Sequence, residues 1–228
     1  MIPLRDENPA SSTPVVTRAL IALNALAFLF ELSQGGRLGV LVNGWGLVPG
    51  RVSAMIAGLE PVPPTVVTVF TSMFLHGGWV HLIGNMWYLW IFGDNVEDRC
   101  GRAGFLAFYL GGGAAAAAVH VALNPWSPVP TVGASGAIAA VLGAYAVLFP
   151  RARVLTLVPV FFFLQVVTLP ALLVLGLWFV VQFFSGALTL GAGGGGVAWW
   201  AHIGGFAFGM LVALALRGER RSRAWVQD

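Results

Sequence analysis

Apolar residues crowd into six runs, at about 15–33, 78–95, 103–122, 133–149, 170–187 and 198–217, and the connecting stretches carry nearly all of the charge. A hydrocarbon core about 30 Å thick takes roughly 20 residues of helix to cross, with some latitude either way, so each run reads as one span. The pattern predicts an all-α polytopic membrane protein: one six-helix domain over 15–217, flanked by a polar tail at 1–14 and a basic tail at 218–228. The first tail carries prolines and is expected to be disordered or interfacial. The run beginning at Arg18 could pass for a signal peptide, but no small-residue cleavage site follows it, so it reads as the first anchor.

Two stretches are less regular. The loop at about 34–77, with Trp45, Pro49, Pro61, Pro63 and Pro64, is apolar enough to lie on or partly in the membrane interface. The stretch 150–169 tempts a seventh span, but Pro159 and Pro170 interrupt it. Charge decides between the two topologies. With six spans, Arg5, Arg18, Arg99, Arg102, Arg151, Arg153, Arg217, Arg220, Arg221 and Arg223 fall on one side, and only Arg37 and Arg51 on the other. That asymmetry is what the positive-inside rule expects, with both termini cytoplasmic. Residues 154–169 are therefore expected to be interfacial or re-entrant.

Composition agrees with lipid as the solvent. The chain is 58% hydrophobic and 9% charged, with mean hydropathy +0.84, against about 25% charged residues in an ordinary soluble domain. The net charge of +3 could suggest nucleic acid, yet the arginines sit in loops between apolar runs, where orientation in a membrane accounts for them. The single cysteine, Cys100, excludes an intrachain disulfide.

Polar side chains inside apolar helices are costly and tend to mark function. Here His81 and Asn85, Ser135, and His202 lie near the beginnings of spans two, four and six, which all run from outside to inside. At about 1.5 Å per residue, all four sit on the order of 3–12 Å below the same boundary. Ser135 follows Gly133 and Ala134 at a helix start, where free backbone N–H groups favour a developing oxyanion. Small-residue packing is the plainer reading of that motif. Gly205 and Gly209 should press span six against Gly136, Ala140 and Gly143, bringing His202 toward Ser135 as a Ser–His dyad. No acidic third member lies at that depth. His81 and Asn85 could donate to the oxyanion; interhelical hydrogen bonding is their alternative. His76 reads as a loop anchor and His120 as structural, and a zinc site from His76, His81 and His202 lacks both an HExxH pattern and a carboxylate.

Together these residues resemble the rhomboid family of intramembrane serine proteases. The likeness rests on HGGWVHLIGNMWYLWIFGDNVEDRCGR, GASGA and AHIGGFAFG, in that order, between about residues 70 and 217. It implies Ser135 as nucleophile, His202 as base, and His81 and Asn85 as oxyanion donors, with Gly133 and Ala134 completing the substrate-binding backbone. Glu97, Arg99 and Gly101 resemble the family's structural turn after span two. It further implies membrane-protein substrates, no cofactor or metal, no nucleic-acid partner, and a bacterial plasma membrane with the site opening to the outer face. Two departures stand out: Ala139 occupies a position where many relatives carry an aromatic on the catalytic histidine, and the first loop lacks a Trp-Arg pair. Trp199, Trp200 or Tyr145 could replace the missing ring. A non-catalytic, helix-binding member of the same family is the rival reading, and a small transporter a third. Loop 187–197, with four consecutive glycines, is expected to cap the site, and substrate to arrive between spans two and five.

Overall fold

Helices account for most of the computed structural model, which describes residues 1–160, 163–189 and 198–224. A short strand β1 (Ile2–Asp6) leads into α1 (Val15–Ser33). Three short helices follow, α2 (Leu38–Trp45), α3 (Pro49–Ile56) and α4 (Val62–Thr71), then α5 (Trp79–Cys100), α6 (Arg102–Leu123) and α7 (Ser135–Leu148). A hairpin of β2 (Arg153–Val160) and β3 (Phe163–Pro170) precedes α8 (Ala171–Thr189) and α9 (Trp199–Ala224).

Among the described residues, α1, α6, α8 and α9 are long and apolar enough to cross a membrane, and α4 with α5 forms a fifth candidate bent by 82°. The protein is an integral membrane protein, and the difference from a count of six lies in α7. With 14 residues it extends on the order of 21 Å at about 1.5 Å per residue, short of a hydrocarbon core of about 30 Å. Nearly every α7 residue is buried, so the other helices surround it.

Small residues set the seam between α7 and α9. A Cβ built on Gly205 would strike the Gly136 carbonyl, one on Gly209 the Ala140 carbonyl, and one on Gly143 the Phe206 carbonyl. The matched pairs advance together along both helices, so α7 and α9 run parallel and in backbone contact. On α6, Ala116 meets Gly136 and Gly112 meets Ala140, so α6 runs the other way. A close fit of this kind tolerates no added volume. Gly209→Ala should therefore destabilise the protein by about 1–3 kcal/mol, read as a lower melting temperature in detergent. Gly84→Ala, where an added methyl meets nothing within 4 Å, should be nearly silent.

One expectation needs correcting. Residues 1–14 are not a free tail: β1 pairs antiparallel with β2, and β2 with β3, in a sheet of order β1-β2-β3. The Trp87 indole N–H donates to the Pro3 carbonyl (2.6 Å), the Tyr145 hydroxyl to the Asp6 carboxylate (2.6 Å), and the hydroxyls of Ser11 and Ser12 to Asp98. Burial raises the Asp6 carboxyl above its usual value, and the hydrogen bond from Tyr145 opposes that shift. The described part of 154–169 forms the β2–β3 hairpin, with Arg153 opposite Pro170 and Val160 opposite Phe163. Alternating Val, Leu and Thr favour an extended chain there. The loop 34–77 folds into α2, α3 and α4. At the other end of the chain, helix α9 continues into the stretch expected as a basic tail.

Glu97 ties the end of α5 to the start of α1. Its carboxylate accepts from the backbone N–H groups of Val16 (2.9 Å) and Thr17 (2.7 Å) and from the Thr17 hydroxyl (2.8 Å). It thus caps, from a different helix, the α1 N-terminus that its own N-cap Pro14 leaves without a side-chain cap. Gly101 takes φ +72° to end α5, and its N–H returns to the Glu97 carbonyl (2.8 Å).

Candidate active site

Helix α7 begins at Ser135, deep in the molecule, and the space in front of it is a cavity of about 880 Å³. Lining residues include His81, Asn85, Ser135, Gln182 and His202. A short helix here has a chemical consequence: polar groups that would otherwise face lipid face a void wide enough for water. The walls include Trp79, Val80 and Gly84 of α5 and Trp178 of α8.

The parallel seam delivers His202 to Ser135. With Gly205 on Gly136, the imidazole one turn earlier on α9 reaches the head of α7, and His202 Nε2 lies 2.7 Å from Ser135 Oγ. His202 Nδ1 lies 2.5 Å from Gln182 Oε1. An amide oxygen only accepts, so Nδ1 carries the hydrogen and Nε2 presents its lone pair to the serine hydroxyl. This is the tautomer a general base requires.

His81 approaches from α5. Its ring lies against Gly133, where a Cβ would sit 2.7 Å from both Cε1 and Nε2. Gly133 also takes φ +129°, a conformation that excludes most other residues. Its own N–H is bound to the Ser72 carbonyl (2.9 Å), so it is not a free oxyanion donor, and its contribution is room for the His81 ring. The Gly77 N–H donates to His81 Nδ1 (3.3 Å), which leaves the Nε2 of a neutral ring as the N–H turned toward Gly133. Ala134, fully buried, supplies the carbonyl that receives the Ile138 N–H, opening the helix. The Ser135 N–H, at the first helical position, has no partner within the helix.

Asn85 is held from behind by residues whose part was not anticipated. Its Nδ2 donates to His76 Nε2 (3.0 Å), His76 Nδ1 faces the Phe74 carbonyl (3.3 Å), and the His76 backbone N–H donates to the buried Glu31 carboxylate (2.9 Å). The second Asn85 N–H remains for the cavity. The signal was present in the sequence, since Glu31 is an acidic residue at the end of an apolar span. His120 behaves as a structural residue, within 3.0 Å of the Thr131 hydroxyl. Among the described residues, no three His, Cys, Asp or Glu side chains gather closely enough to hold a metal ion.

Two aromatics lie beside the His202 ring. Trp178 lies beside the His202 imidazole at 5.8 Å and 36°, and Trp199 meets it edge-on at 6.2 Å and 90°. Trp199 had been anticipated; Trp178 had not. Trp200 faces Phe183, and Tyr145 lies at the far end with Asp6. Ala139 lies where α9 packs on α7: a Cβ on Gly205 would come within 3.3 Å of the Ala139 Cβ. Residues 190–197, most of the expected cap, lie outside the described residues.

Comparison with known proteins bears on this arrangement. Residues 63–219 match the model of a family described as Rhomboid domain. The chain is 35% identical over 145 residues to Presenilin-associated rhomboid-like protein A, mitochondrial, from Danio rerio, covering 61% of this chain and 34% of that one. It is 34% identical over 132 residues to Rhomboid protease GluP of Bacillus subtilis, covering 58% and 24% respectively. With Rhomboid protein 1, mitochondrial, of Saccharomyces cerevisiae it shares 28% over 174 residues, covering 69% and 45%. The chain thus spans less than half the length of these relatives.

Proposed function

The chain belongs to the rhomboid family, and from that premise we propose that it is an intramembrane serine endopeptidase acting through Ser135 and His202. One observation carries the proposal: a serine hydroxyl 2.7 Å from an imidazole nitrogen whose ring partner meets the Gln182 amide oxygen, at the head of a buried helix facing an 880 Å³ cavity. A relative named as a protease supports it.

The chemistry follows from the geometry. Ser135 Oγ attacks a substrate carbonyl while His202 Nε2 takes its proton. The tetrahedral oxyanion forms within reach of the Ser135 N–H, His81 Nε2–H and Asn85 Nδ2–H. His202 returns the proton to the leaving amine, and the C–N bond breaks to leave an acyl-serine. Water from the cavity, deprotonated by His202, releases the second product and restores the hydroxyl. The reaction uses a carbonyl freed from its helix, so transmembrane substrates with Gly or Pro near the cut should be favoured.

The proposed setting is a bacterial plasma membrane; one relative is from Bacillus subtilis, and others are mitochondrial by name. The arginine asymmetry is the sequence argument for placing both termini on the cytoplasmic side, with the cavity opening outward. A non-catalytic helix-binding role is the alternative. Incubating the purified protein with a panel of single-span substrates separates the two. The protease reading expects cleavage that the Ser135→Ala protein lacks; binding without cleavage by either form would contradict it.

Substrate access is proposed between α5 and α8. Val80 and Ile83 on one side, and Phe183 and Phe184 on the other, are exposed, and both helices wall the cavity. A disulfide between cysteines placed at Gly84 and Phe183, in a Cys100→Ser background, should block cleavage of a transmembrane substrate and reverse on reduction. Full activity in the verified cross-linked enzyme would rule this route out.

A further inference from the structure

We infer that Gln182 is the positioning residue for His202 and that, because it sits on α8, the base is competent only while α8 is seated against α9. The inference rests on the proposed peptidase reading and extends it to how chemistry is coupled to access.

Three observations converge. Gln182 and His202 are each 7% exposed, and their contact at 2.5 Å joins α8 to α9. A polar amide inside an otherwise apolar helix needs such a partner. The amide oxygen holds Nδ1–H and so selects the tautomer that offers Nε2 to Ser135, the orienting task that an aspartate performs in soluble serine proteases. A neutral acceptor does this without burying a carboxylate at membrane depth, where an ion is expensive.

The second observation is that Trp178 precedes Gln182 by four residues, one helical turn, so both lie on one face of α8. One turn of α8 therefore supplies both the acceptor and the ring beside His202.

The third is the contrast between the two helix contacts of α9. Toward α7 it is locked by backbone contact at Gly205 and Gly209. Toward α8 it meets rings, Phe179 on Phe206 at 4.9 Å and Trp178 on Phe206 at 6.1 Å, and Trp199 and Trp200 beside Gly186. If α8 swings away to admit a substrate, the Ser135–His202 pair stays together while the imidazole loses its acceptor and its neighbouring ring. Reseating α8 restores both, so the hydroxyl is activated only after the substrate is enclosed.

A small water-soluble fluorophosphonate, which needs no lateral access, reads out Ser135 activation directly. Gln182→Met keeps size and loses the acceptor; Gln182→Glu restores an acceptor. The inference expects Gln182→Met to lower kcat and fluorophosphonate labelling by about 10²-fold, the low end of what a general base contributes, with KM unchanged. Gln182→Glu should recover most of the loss. A role confined to packing predicts the reverse, with Met tolerated and Glu harmful, and that result would overturn the inference. Gly186→Leu tests the coupling. A Cβ there already meets Trp199 at 3.1 Å and Trp200 at 3.3 Å, so the larger side chain wedges α8 off α9. Labelling should fall toward the Gln182→Met level, about 10²-fold, because the same orienting contact is lost, although the site is more open. Unchanged or faster labelling would mean that α8 is a gate only. Failure of the wild-type protein to label or cleave would instead strike the peptidase reading, and this inference with it.

Discussion

Ser135→Ala and His202→Ala should each reduce peptide-bond hydrolysis by about 10⁴-fold or more, and the double variant should be little worse than either alone. Nucleophile and base act as one unit, so removing the second member costs little once the first is gone. Neither substitution should unfold the protein. Ser135 opens α7 without using its side chain as a cap, and the Gly205 and Gly209 contacts that hold α9 in place do not involve His202. The measurement is product formation from a single-span substrate, with circular dichroism and gel filtration to establish that each variant is folded. Proteolysis by purified Ser135→Ala at a substantial rate would remove Ser135 from the mechanism.

The oxyanion donors carry the second-largest expected effect. Losing one such donor costs on the order of 10²–10³ in rate, so Asn85→Ala and His81→Phe should each lower kcat by that amount with little change in KM. Phenylalanine keeps a ring against Gly133 and removes the Nε2–H together with the Nδ1 acceptor of the Gly77 N–H, so packing against Gly133 is kept while donation is lost. His76→Ala should give a weaker version of the Asn85 defect, because it withdraws the acceptor that holds the Asn85 amide. Activity should survive exhaustive chelation; loss with EDTA and recovery with zinc would reassign His81 as a metal ligand.

Much of this arrangement was legible in the sequence because lipid is an unforgiving solvent. A long apolar run reads as a spanning helix, and the few polar residues inside such helices must face protein or water, so His81, Asn85, Ser135 and His202 stood out. The expectation that they meet followed from the spacing of the runs, and the seam of Gly205 and Gly209 on Gly136, Ala140 and Gly143 followed from residue size. What stayed hidden was pairing at long range. Gln182 is visibly polar in an apolar helix, but nothing local connects it to His202, 20 residues away on another helix. The same holds for Glu31 and the His76 backbone, 45 residues apart. The β2–β3 hairpin was masked for a different reason: apolarity alone cannot separate a strand from a helical or re-entrant segment. The partner that makes β1 a strand lies about 150 residues downstream, at Arg153–Val160, beyond any local pattern.

Covalent trapping tests the central claim most directly. The purified protein, treated with a fluorophosphonate and digested, should carry one adduct by mass spectrometry, on Ser135, with proteolysis lost in proportion to labelling. His202→Ala should remain unlabelled under the same conditions. Continued proteolysis with Ser135 fully modified, or equal labelling of the His202→Ala protein, would contradict the account.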